Sequence, residues 1–358
     1  MRAGELHTPD HALKDYRAPW WAVGGHVQTI WASRLASKPP IHYHREAWAT
    51  PDDDVLAVDW LRCPADEANA RVPQEDAKAF NTVKQPLLAM FHGLEGDSQS
   101  HYCLVFMEEA RRRRWDGCVV HFRGCGGLPN RLARAYHSGD SVEIDWILRR
   151  LRTQRAGPVY VVGVSLGGNA LLKWLGENAE GARQVIDAAA ALCPPHDLRA
   201  SAYALAQGVN RLYTRNFLRS LIPAALARLE RFPGLYDAKR VVACQSLIDF
   251  DEVVTAPLHG FAGAEDYWRR SSCGPFFASI RLPTLVVNAL NDPFVPASSL
   301  RPLQSCSRQL RLCYPAEGGH VGFPVGQTLG RLDYLPRTIT HWLGRAGGSD
   351  PVCRASSG

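Results

Sequence analysis

Several features that would assign the chain to a membrane, to secretion or to zinc binding are missing from its sequence. The first twenty residues are polar and lack the apolar segment of a signal peptide. No apolar run is long enough to cross a bilayer, and the ten cysteines include no C-x-x-C pair and no zinc-ligand spacing. We therefore expect reduced cysteines, a cytoplasmic location and no transmembrane segment.

A strong excess of one charge is also absent, since the formal net charge is only +6 over 358 residues. The densest basic run is EEARRRRWDG at 108–117, where Glu108 and Glu109 precede Arg112 and Arg113 by four residues. That spacing pairs opposite charges on a helix face. No interleaved aromatic residues or binding motif accompany the run, so we interpret it as a solvated helix end and expect no nucleic-acid partner.

What the sequence does contain is an alternation of short apolar strands and helical segments from residue 86 onward. This alternation is typical of an α/β fold with a mostly parallel central sheet covered by helices on both faces. Upstream, residues 41–63 alternate apolar and polar residues around an Asp-rich turn, which predicts an antiparallel hairpin at the sheet edge. The other predicted strands cover 86–91, 118–122, 159–164, 185–193, 282–290 and 310–314.

The strand–helix rhythm breaks once, over residues 197–280, where helical patterns occur without a convincing strand. We interpret this stretch as a helical cap inserted after the sixth strand. Residues 64–86 are polar and bounded by prolines, which is typical of an exposed loop. The sequence contains no internal repeat. The predicted units are an N-terminal arm (1–40), a core (41–196 and 281–346), the cap (197–280) and a flexible tail (347–358).

The stretch VYVVGVSLGGNALLKWLG at 159–176 carries the most specific local pattern. A G-x-S-x-G sequence, Gly163 to Gly167, follows a β-branched strand and opens a helix. A nucleophilic serine has to stand on a tight strand-to-helix turn, and the two glycines permit the strained backbone and the close approach of strand and helix. The five-residue pattern is weak by itself, but this context predicts that Ser165 is a nucleophile.

A serine hydroxyl needs a base that accepts its proton and an acid that orients the base. In sheet proteins of this kind the order along the chain is serine, acid, histidine, on loops at the carboxyl ends of strands. Asp292 and His320 each follow a predicted strand, so we predict the triad Ser165, Asp292 and His320. The rival residues, none of which combines a strand-end position with this order, are His121, His196, His259, Asp249, Asp251 and Asp266.

The tetrahedral intermediate of such a reaction requires two hydrogen-bond donors for its oxyanion. One is the backbone N–H of Leu166, at a helix N-terminus. The other is the N–H of Leu94, in the loop FHGLEGDSQSHY after the third strand, where His92 and Gly93 let the backbone turn. We assign His92 no proton transfer. The predicted supporting residues are His92, Gly93, Gly163, Gly167 and Arg123.

Three further features receive a structural interpretation. Arg123, among glycines after the fourth strand, either binds a substrate carboxylate or phosphate or holds its own loop, and we favour the loop. Cys125 lacks a histidine partner nearby in sequence and is disfavoured as a nucleophile. His42 and His44 would form a zinc site only with further ligands, so we expect no metal and no other cofactor.

Together these segments resemble the YheT-like branch of the α/β-hydrolases, also called the AB-hydrolase 4 family, from residue 17 to about 345. The resemblance implies the α/β-hydrolase fold and the same triad. One departure is Asp52-Asp53-Asp54 where the family has Asp-Gly-Asp, which we expect to affect a turn only. The matching segments include GGHVQTIW (24–31), FHGLEGDSQSHY (91–102), FRGCGGLPNR (122–131), YHSGD (136–140), IDFDEVVTAPLHGF (248–261) and NALNDPFVP (288–296).

The function expected from these residues is that of a serine carboxylic ester hydrolase acting through an acyl-enzyme on short- to medium-chain acyl esters. The alternatives are an acyltransferase that passes the acyl group to an alcohol at the same site, and a binding protein without catalysis. The expected partner is a small-molecule ester. Peripheral contact with a membrane and the oligomeric state stay open at this point.

Overall fold

The computed structural model describes residues 13–63, 84–302, 306–328 and 330–348. Nearly all of the loop predicted over 64–86 and of the tail predicted over 347–358 lies outside the described residues. No helix in the described ranges is long and apolar enough to cross a bilayer. The strands are β1 (His44–Ala49), β2 (Val55–Leu61), β3 (Leu87–Phe91), β4 (Asp116–Val120), β5 (Val159–Val164), β6 (Ala188–Leu192), β7 (Thr284–Val287) and β8 (Leu310–Cys313).

Helices cover both faces of the sheet and fill the long connection between β6 and β7. A π-helical turn, Trp31–Leu35, continues the first helix, and another, Asp251–Thr255, links two short cap helices. The α-helices are α1 (Gly24–Ile30), α2 (His101–Arg112), α3 (Ser141–Thr153), α4 (Leu166–Asn178), α5 (Leu198–Leu205), α6 (Arg211–Arg231), α7 (Ala238–Val242), α8 (Leu247–Phe250), α9 (Ala256–Leu258), α10 (Ala264–Ser271) and α11 (Tyr334–Ala346).

The eight strands form one sheet in the order β1-β2-β4-β3-β5-β6-β7-β8. Only β2 runs against its neighbours, and β3 to β8 are parallel. The predicted α/β architecture, the edge hairpin and the cap after the sixth strand are therefore confirmed. The chain runs from β3 outward to β4 and then returns to β5, which opens a crevice at the carboxyl ends of β3 and β5.

One strand is shifted from its predicted position, because β4 spans Asp116–Val120 rather than 118–122. Aspartate and glycine are poor strand formers, so the sequence does not predict Asp116 and Gly117 as part of the strand. Packing overrides this preference. A Cβ on Gly117 would lie 2.3 Å from the Met107 sulfur of α2, so glycine leaves the space that the Met107 side chain fills against the strand.

The core consists of two apolar layers, one on each face of the sheet. Strand β5 shows why such strands form, since all six residues of VYVVGV are buried, as expected for a strand covered on both sides. At the end of α2, Arg112 pairs with Glu108 at 3.0 Å and Arg113 with Glu109 at 2.9 Å. The predicted ion pairs on the helix face are thus present.

Candidate active site

Ser165 lies at the turn between β5 and α4 with φ 53° and ψ −117°. A positive φ is strained for a residue with a side chain and persists only where the surroundings hold it. Two hydrogen bonds do so here: the Ser165 N–H donates to the Leu192 carbonyl at 2.8 Å, and the Ser165 carbonyl accepts from Asn169 N–H at 2.9 Å. The serine therefore stands at a fixed, strained corner at the end of the sheet.

The two glycines of the G-x-S-x-G pattern are required by close backbone contacts. A Cβ on Gly163 would lie 2.6 Å from the Gly167 carbonyl oxygen, and a Cβ on Gly167 would lie 2.5 Å from the His92 carbonyl oxygen. Both obstacles are backbone atoms, which cannot swing aside. The glycines thus let α4 pack directly against β5 and against the loop after β3.

Asp292 and His320 form a hydrogen-bonded pair, with His320 Nδ1 2.8 Å from Asp292 Oδ2. The other carboxylate oxygen of Asp292 accepts the N–H groups of Phe294 at 2.7 Å and Val295 at 3.2 Å. With Nδ1 engaged, Nε2 is the ring nitrogen that is left for another partner. His320 and Ser165 line the same cavity, so the structure brings the three predicted triad residues together.

The N-terminal arm supports the histidine loop, which the sequence analysis did not foresee. The His320 N–H donates to Thr29 Oγ1 at 2.8 Å, and Thr29 Oγ1 donates to the Gly25 carbonyl at 2.7 Å. Gln28 Oε1 accepts the Gly318 N–H at 2.8 Å. The only signal in the sequence was the membership of these arm residues in the GGHVQTIW segment.

The loop after β3 presents the amide predicted to bind the oxyanion. Buried His92 accepts the Phe122 N–H through Nε2 at 3.1 Å, so its Nδ1 donates to the Gly93 carbonyl at 2.8 Å. Burial lowers the pKa of His92 to about 3, which keeps the ring neutral. The Gly93 N–H donates to Tyr102 and the Glu95 N–H to Tyr136.

The amide between those two, on Leu94, donates no hydrogen bond to any described residue. Leu166 begins α4, so its N–H has no carbonyl four residues earlier within the helix. Leu94 and Leu166 both line the cavity that contains Ser165. Both residues therefore border the cavity of the serine, where an oxyanion site would need its donors.

A cavity of about 350 Å³ lies between the cap and the carboxyl end of the sheet, which is within the range of small-molecule sites. Burial raises the pKa of Asp251 on its wall to about 6, although Trp268 and Thr255 donate hydrogen bonds to it. Burial lowers the pKa of His137 to about 4 and that of His259 to about 3. The apolar wall includes Leu198, Ala202, Leu205, Phe217, Leu221, Leu247, Phe250, Val254 and Leu258.

Arg123 also borders this cavity, but its guanidinium is fully engaged by carboxylates. It donates to Asp52 and Asp54 at 3.0 Å each and to Glu143. The structural interpretation of Arg123 thus agrees with its contacts. The Asp-rich hairpin turn was expected to affect only the turn itself. Two of its three aspartates instead bind Arg123 on the wall of the cavity.

The remaining candidates lie apart from the Ser165 corner or lack the needed chemistry. His121 binds Asp59 at 2.9 Å and His196 binds Asn288 at 3.0 Å. Burial raises the pKa of the Cys125 thiol well above its usual value, which disfavours the thiolate. His42 and His44 are exposed. The one group of three potential metal ligands among the described residues is Cys193, Asp292 and His320, and burial raises the pKa of the Cys193 thiol.

Comparison with known proteins adds the family. The model of the alpha/beta hydrolase fold matches residues 86–327, which is more than half of the chain. The chain belongs to the α/β-hydrolase family. This α/β-hydrolase is 33% identical over 321 residues to the Escherichia coli protein named "Putative esterase YheT", covering 89% of both chains. That similarity places it in the YheT-like branch.

A second relative is the Saccharomyces cerevisiae protein named "Medium-chain fatty acid ethyl ester synthase/esterase 2". It is 26% identical, and the match covers 84% of this α/β-hydrolase and 79% of the yeast protein. Among solved structures, that of DcsB in complex with its substrate analogue superposes with a TM-score of 0.52 at 10% identity, covering 86% of this chain and 100% of DcsB. That likeness concerns the fold alone.

Proposed function

We propose that Ser165, His320 and Asp292 are the catalytic triad of a serine esterase. Membership of the family, together with relatives named as esterases, makes the protein a carboxylic ester hydrolase. The observation that carries the finer proposal is the meeting of a strained serine with a His–Asp pair at one cavity. The same cavity contains the two amides expected to bind the oxyanion.

In the proposed reaction Ser165 Oγ attacks the ester carbonyl carbon while His320 Nε2 takes the hydroxyl proton. The carbonyl oxygen becomes an oxyanion bound by the Leu94 and Leu166 amides. Collapse of the intermediate breaks the bond to the alcohol oxygen, which leaves with the proton from His320. Water then repeats the cycle on the acyl-serine and releases the acid. Asp292 orients the imidazole and stabilises its charged form.

The cap side of the cavity suits the acyl chain, because its wall is mainly aliphatic and aromatic. Burying each methylene of a chain there contributes about 0.8 kcal/mol, until the enclosed volume of about 350 Å³ is filled. We therefore propose short- to medium-chain acyl esters as substrates. Activity should rise with chain length over a series of nitrophenyl esters and then fall.

Labelling with a fluorophosphonate tests the nucleophile. The wild-type protein should be labelled at Ser165, and Ser165→Ala should lose both labelling and esterase activity. Ser220→Ala is the matched control, since Ser220 is an exposed serine on the cap helix α6. Full labelling of Ser165→Ala would disprove the assignment, and an intact wild-type protein that resists labelling would favour a binding protein without catalysis.

Transfer of the acyl group to an alcohol is the second candidate function. The observation in its favour is the yeast relative whose name combines ester synthase and esterase. An alcohol that reaches the acyl-serine can replace water as the acceptor, so the two reactions compete at one site. Turnover of a medium-chain ester in the presence of ethanol distinguishes them: excess ethyl ester over free acid indicates transfer, and excess acid indicates hydrolysis.

A further inference from the structure

Large apolar side chains that face solvent are concentrated at one place on this molecule. Of the eleven that are exposed among the described residues, seven lie in 20–35 or 209–212. Scattered exposed apolar residues are ordinary, but a concentration of them marks an interaction site. We name these seven the arm surface: Trp20, Val23, Val27, Ile30, Leu35, Val209 and Leu212.

The two segments of the arm surface are held next to each other. The His26 ring stacks on Tyr213 with its Nδ1 3.1 Å from the tyrosine hydroxyl. Further along, Arg34 donates to Asn216 Oδ1 at 3.2 Å. These contacts join the arm helix α1 and its π-helical extension to the start of the cap helix α6, so the two segments that carry the arm surface lie side by side.

On the arm helix the exposed residues follow helical spacing. Val23, Val27, Ile30 and Arg34 are separated by four, three and four residues, which places them in one stripe. The opposite side of the same helix is buried through Gln28 and Thr29, which hold the histidine loop. The helix thus has its polar residues Gln28 and Thr29 on the buried side and its apolar stripe on the exposed side, which is the reverse of the usual arrangement.

The charged residues of the two chain segments that carry the arm surface are all basic. Neither 17–38 nor 207–229 contains an aspartate or glutamate, and both contain arginines. Among the described residues, Lys38, Arg215 and Arg219 form no ion pair with a carboxylate. The arginines at the end of α2 behave differently, since three of them pair with Glu108 or Glu109. Lys38, Arg215 and Arg219, which flank the arm surface, are thus available to an external anion.

These cations line a second cavity, of about 720 Å³, that also reaches the active-site residues. Ile30, Arg34 and Lys38 line it on the arm side, and Leu212, Arg215 and Arg219 line it on the cap side. Ser165 and His320 line the same cavity. Apolar and basic side chains of the arm and the cap therefore line a cavity that reaches the serine.

We propose that the arm surface docks on an anionic lipid bilayer, with the mouth of the active-site cavity facing the lipid. Apolar side chains among lysines and arginines are what an interfacial surface needs, because the first enter the acyl boundary and the second bind lipid phosphates. A second copy of the chain suits the surface less well. A symmetric contact would bring the unpaired arginines of both copies together.

Vesicle flotation with the full-length chain tests the proposal and needs no turnover. Vesicles of phosphatidylcholine with about 30% phosphatidylglycerol should float the protein at low salt. Pure phosphatidylcholine vesicles should not, and about 0.5 M salt should release the protein because exposed charges are then screened. Since binding is measured without substrate, the result is independent of the proposed role of Ser165.

Matched variants locate the surface. The double variant Arg215→Gln/Arg219→Gln should weaken binding to anionic vesicles about 25-fold, because each lost cation costs roughly fivefold. The control Arg308→Gln/Arg345→Gln removes two exposed arginines elsewhere and should leave vesicle binding within about twofold of the wild type. Val23→Ser should weaken binding about fivefold and Val142→Ser should not, although the two valines are 72% and 75% exposed. Circular dichroism and thermal unfolding verify that each variant is folded.

Three outcomes would overturn the proposal. The first is equal binding to neutral and anionic vesicles, and the second is equal loss in the arm-surface and control variants. The third is failure to float together with a dimer, seen by sedimentation, that Val23→Ser dissociates, which would assign the surface to self-association instead.

Discussion

Two histidine–carboxylate pairs stand at the same end of the sheet, and only one of them has its histidine on the wall of the cavity that contains the serine. His320 binds Asp292 at 2.8 Å, and His121 binds Asp59 at 2.9 Å. Both histidines follow a parallel strand. By distance and position alone the pairs are equivalent, so the difference between a candidate base and a structural histidine lies in what surrounds the ring.

The pairs use opposite nitrogens. His320, which lines the cavity of Ser165, engages Asp292 through Nδ1 and keeps Nε2 for another partner, whereas His121 engages Asp59 through Nε2. The His121 ring is fully buried, and a Cβ on Gly126 would lie only 2.4 Å from its Nδ1. A histidine thus becomes a candidate base only when its second nitrogen has both space and a reactive neighbour.

The second pair belongs to a closed network. Asp59 also accepts two hydrogen bonds from Arg45 at 2.7 Å and one from Ser98 at 2.6 Å. Burial opposes ionisation of Asp59, but the hydrogen bonds from Arg45, His121 and Ser98 outweigh it and hold the carboxyl pKa well below its usual value. This network ties the edge hairpin to the loops after β3 and β4.

Replacing His320 and His121 in turn should give the largest difference in kcat between the two pairs. We expect His320→Gln to lower kcat roughly 10⁵-fold, because the serine loses its base. His121→Gln should keep kcat per folded molecule within about tenfold and lower the free energy of unfolding by about 1–3 kcal/mol. Steady-state esterase assays and urea unfolding measure the two effects. Similar losses of kcat in both variants would contradict the proposed division of roles.

Replacing the carboxylates should give the same contrast in kcat as replacing the histidines, with smaller effects. Asp292→Asn should reduce kcat about 10⁴-fold, since the imidazole loses its orientation and the partner of its charged form. Asp59→Asn should leave kcat per folded molecule nearly unchanged. A drop in kcat of more than about tenfold in Asp59→Asn would assign the second pair to catalysis.

Asp59→Asn should instead change the pH dependence of stability. The pKa of Asp59 is lower in the folded protein than the unfolded value of about 3.9. Its ionised form therefore stabilises the fold above that value, and this contribution disappears as the pH falls through about 4 toward the folded pKa. Urea unfolding between pH 7 and 3 should show a shallower acid loss in Asp59→Asn than in the wild type.

Two adjacent glycines test how tightly the His121 ring is enclosed. Gly126 and Gly127 have φ of 70° and 80°, so alanine at either position costs about 1–2 kcal/mol of backbone strain. Only a Cβ on Gly126 would meet His121, since nothing lies within 4 Å of one on Gly127. Gly126→Ala should be less stable than Gly127→Ala by about 1–3 kcal/mol in thermal or urea unfolding, and equal stabilities would refute the contact.

The smallest expected effect concerns the support of His320 by the arm. Thr29→Val removes the acceptor of the His320 N–H while keeping the side-chain shape. We expect a fall in kcat of about three- to tenfold with KM little changed, and Thr29→Ser should restore the rate. A loss of stability without a change in kcat would make Thr29 a purely structural residue.

Much of the fold could be predicted from the sequence because its signals are local. All six β5 residues were expected as a strand from β-branched character, and the ion pairs at the end of α2 from i,i+4 spacing. The predicted position of β4 was wrong by two residues, because the Met107 side chain that packs on Gly117 belongs to the helix α2 and is not evident from the sequence of the strand. Boundaries set by such packing leave no local trace.

The candidate site also contains residues that the sequence predicts and residues that it does not. Ser165, Asp292 and His320 could be chosen from motif, strand ends and chain order, and the structure places them together. Thr29 and Gln28 could not be chosen from the sequence. They bind the backbone N–H groups of His320 and Gly318, which lie 291 and 290 positions further along the chain. The unexpected reach of Asp52 and Asp54 to Arg123 is of the same kind.

The sequence by itself determined the α/β fold, the strained serine corner and the order of its two partners, because periodicity and glycine placement are properties of neighbouring residues. Only the tertiary structure decided which histidine shares a cavity with the serine and keeps Nε2 free of its carboxylate, and which apolar side chains of the arm stay exposed. These outcomes depend on contacts between distant segments, since a ring nitrogen or a helix face is assigned only when its partners are in place.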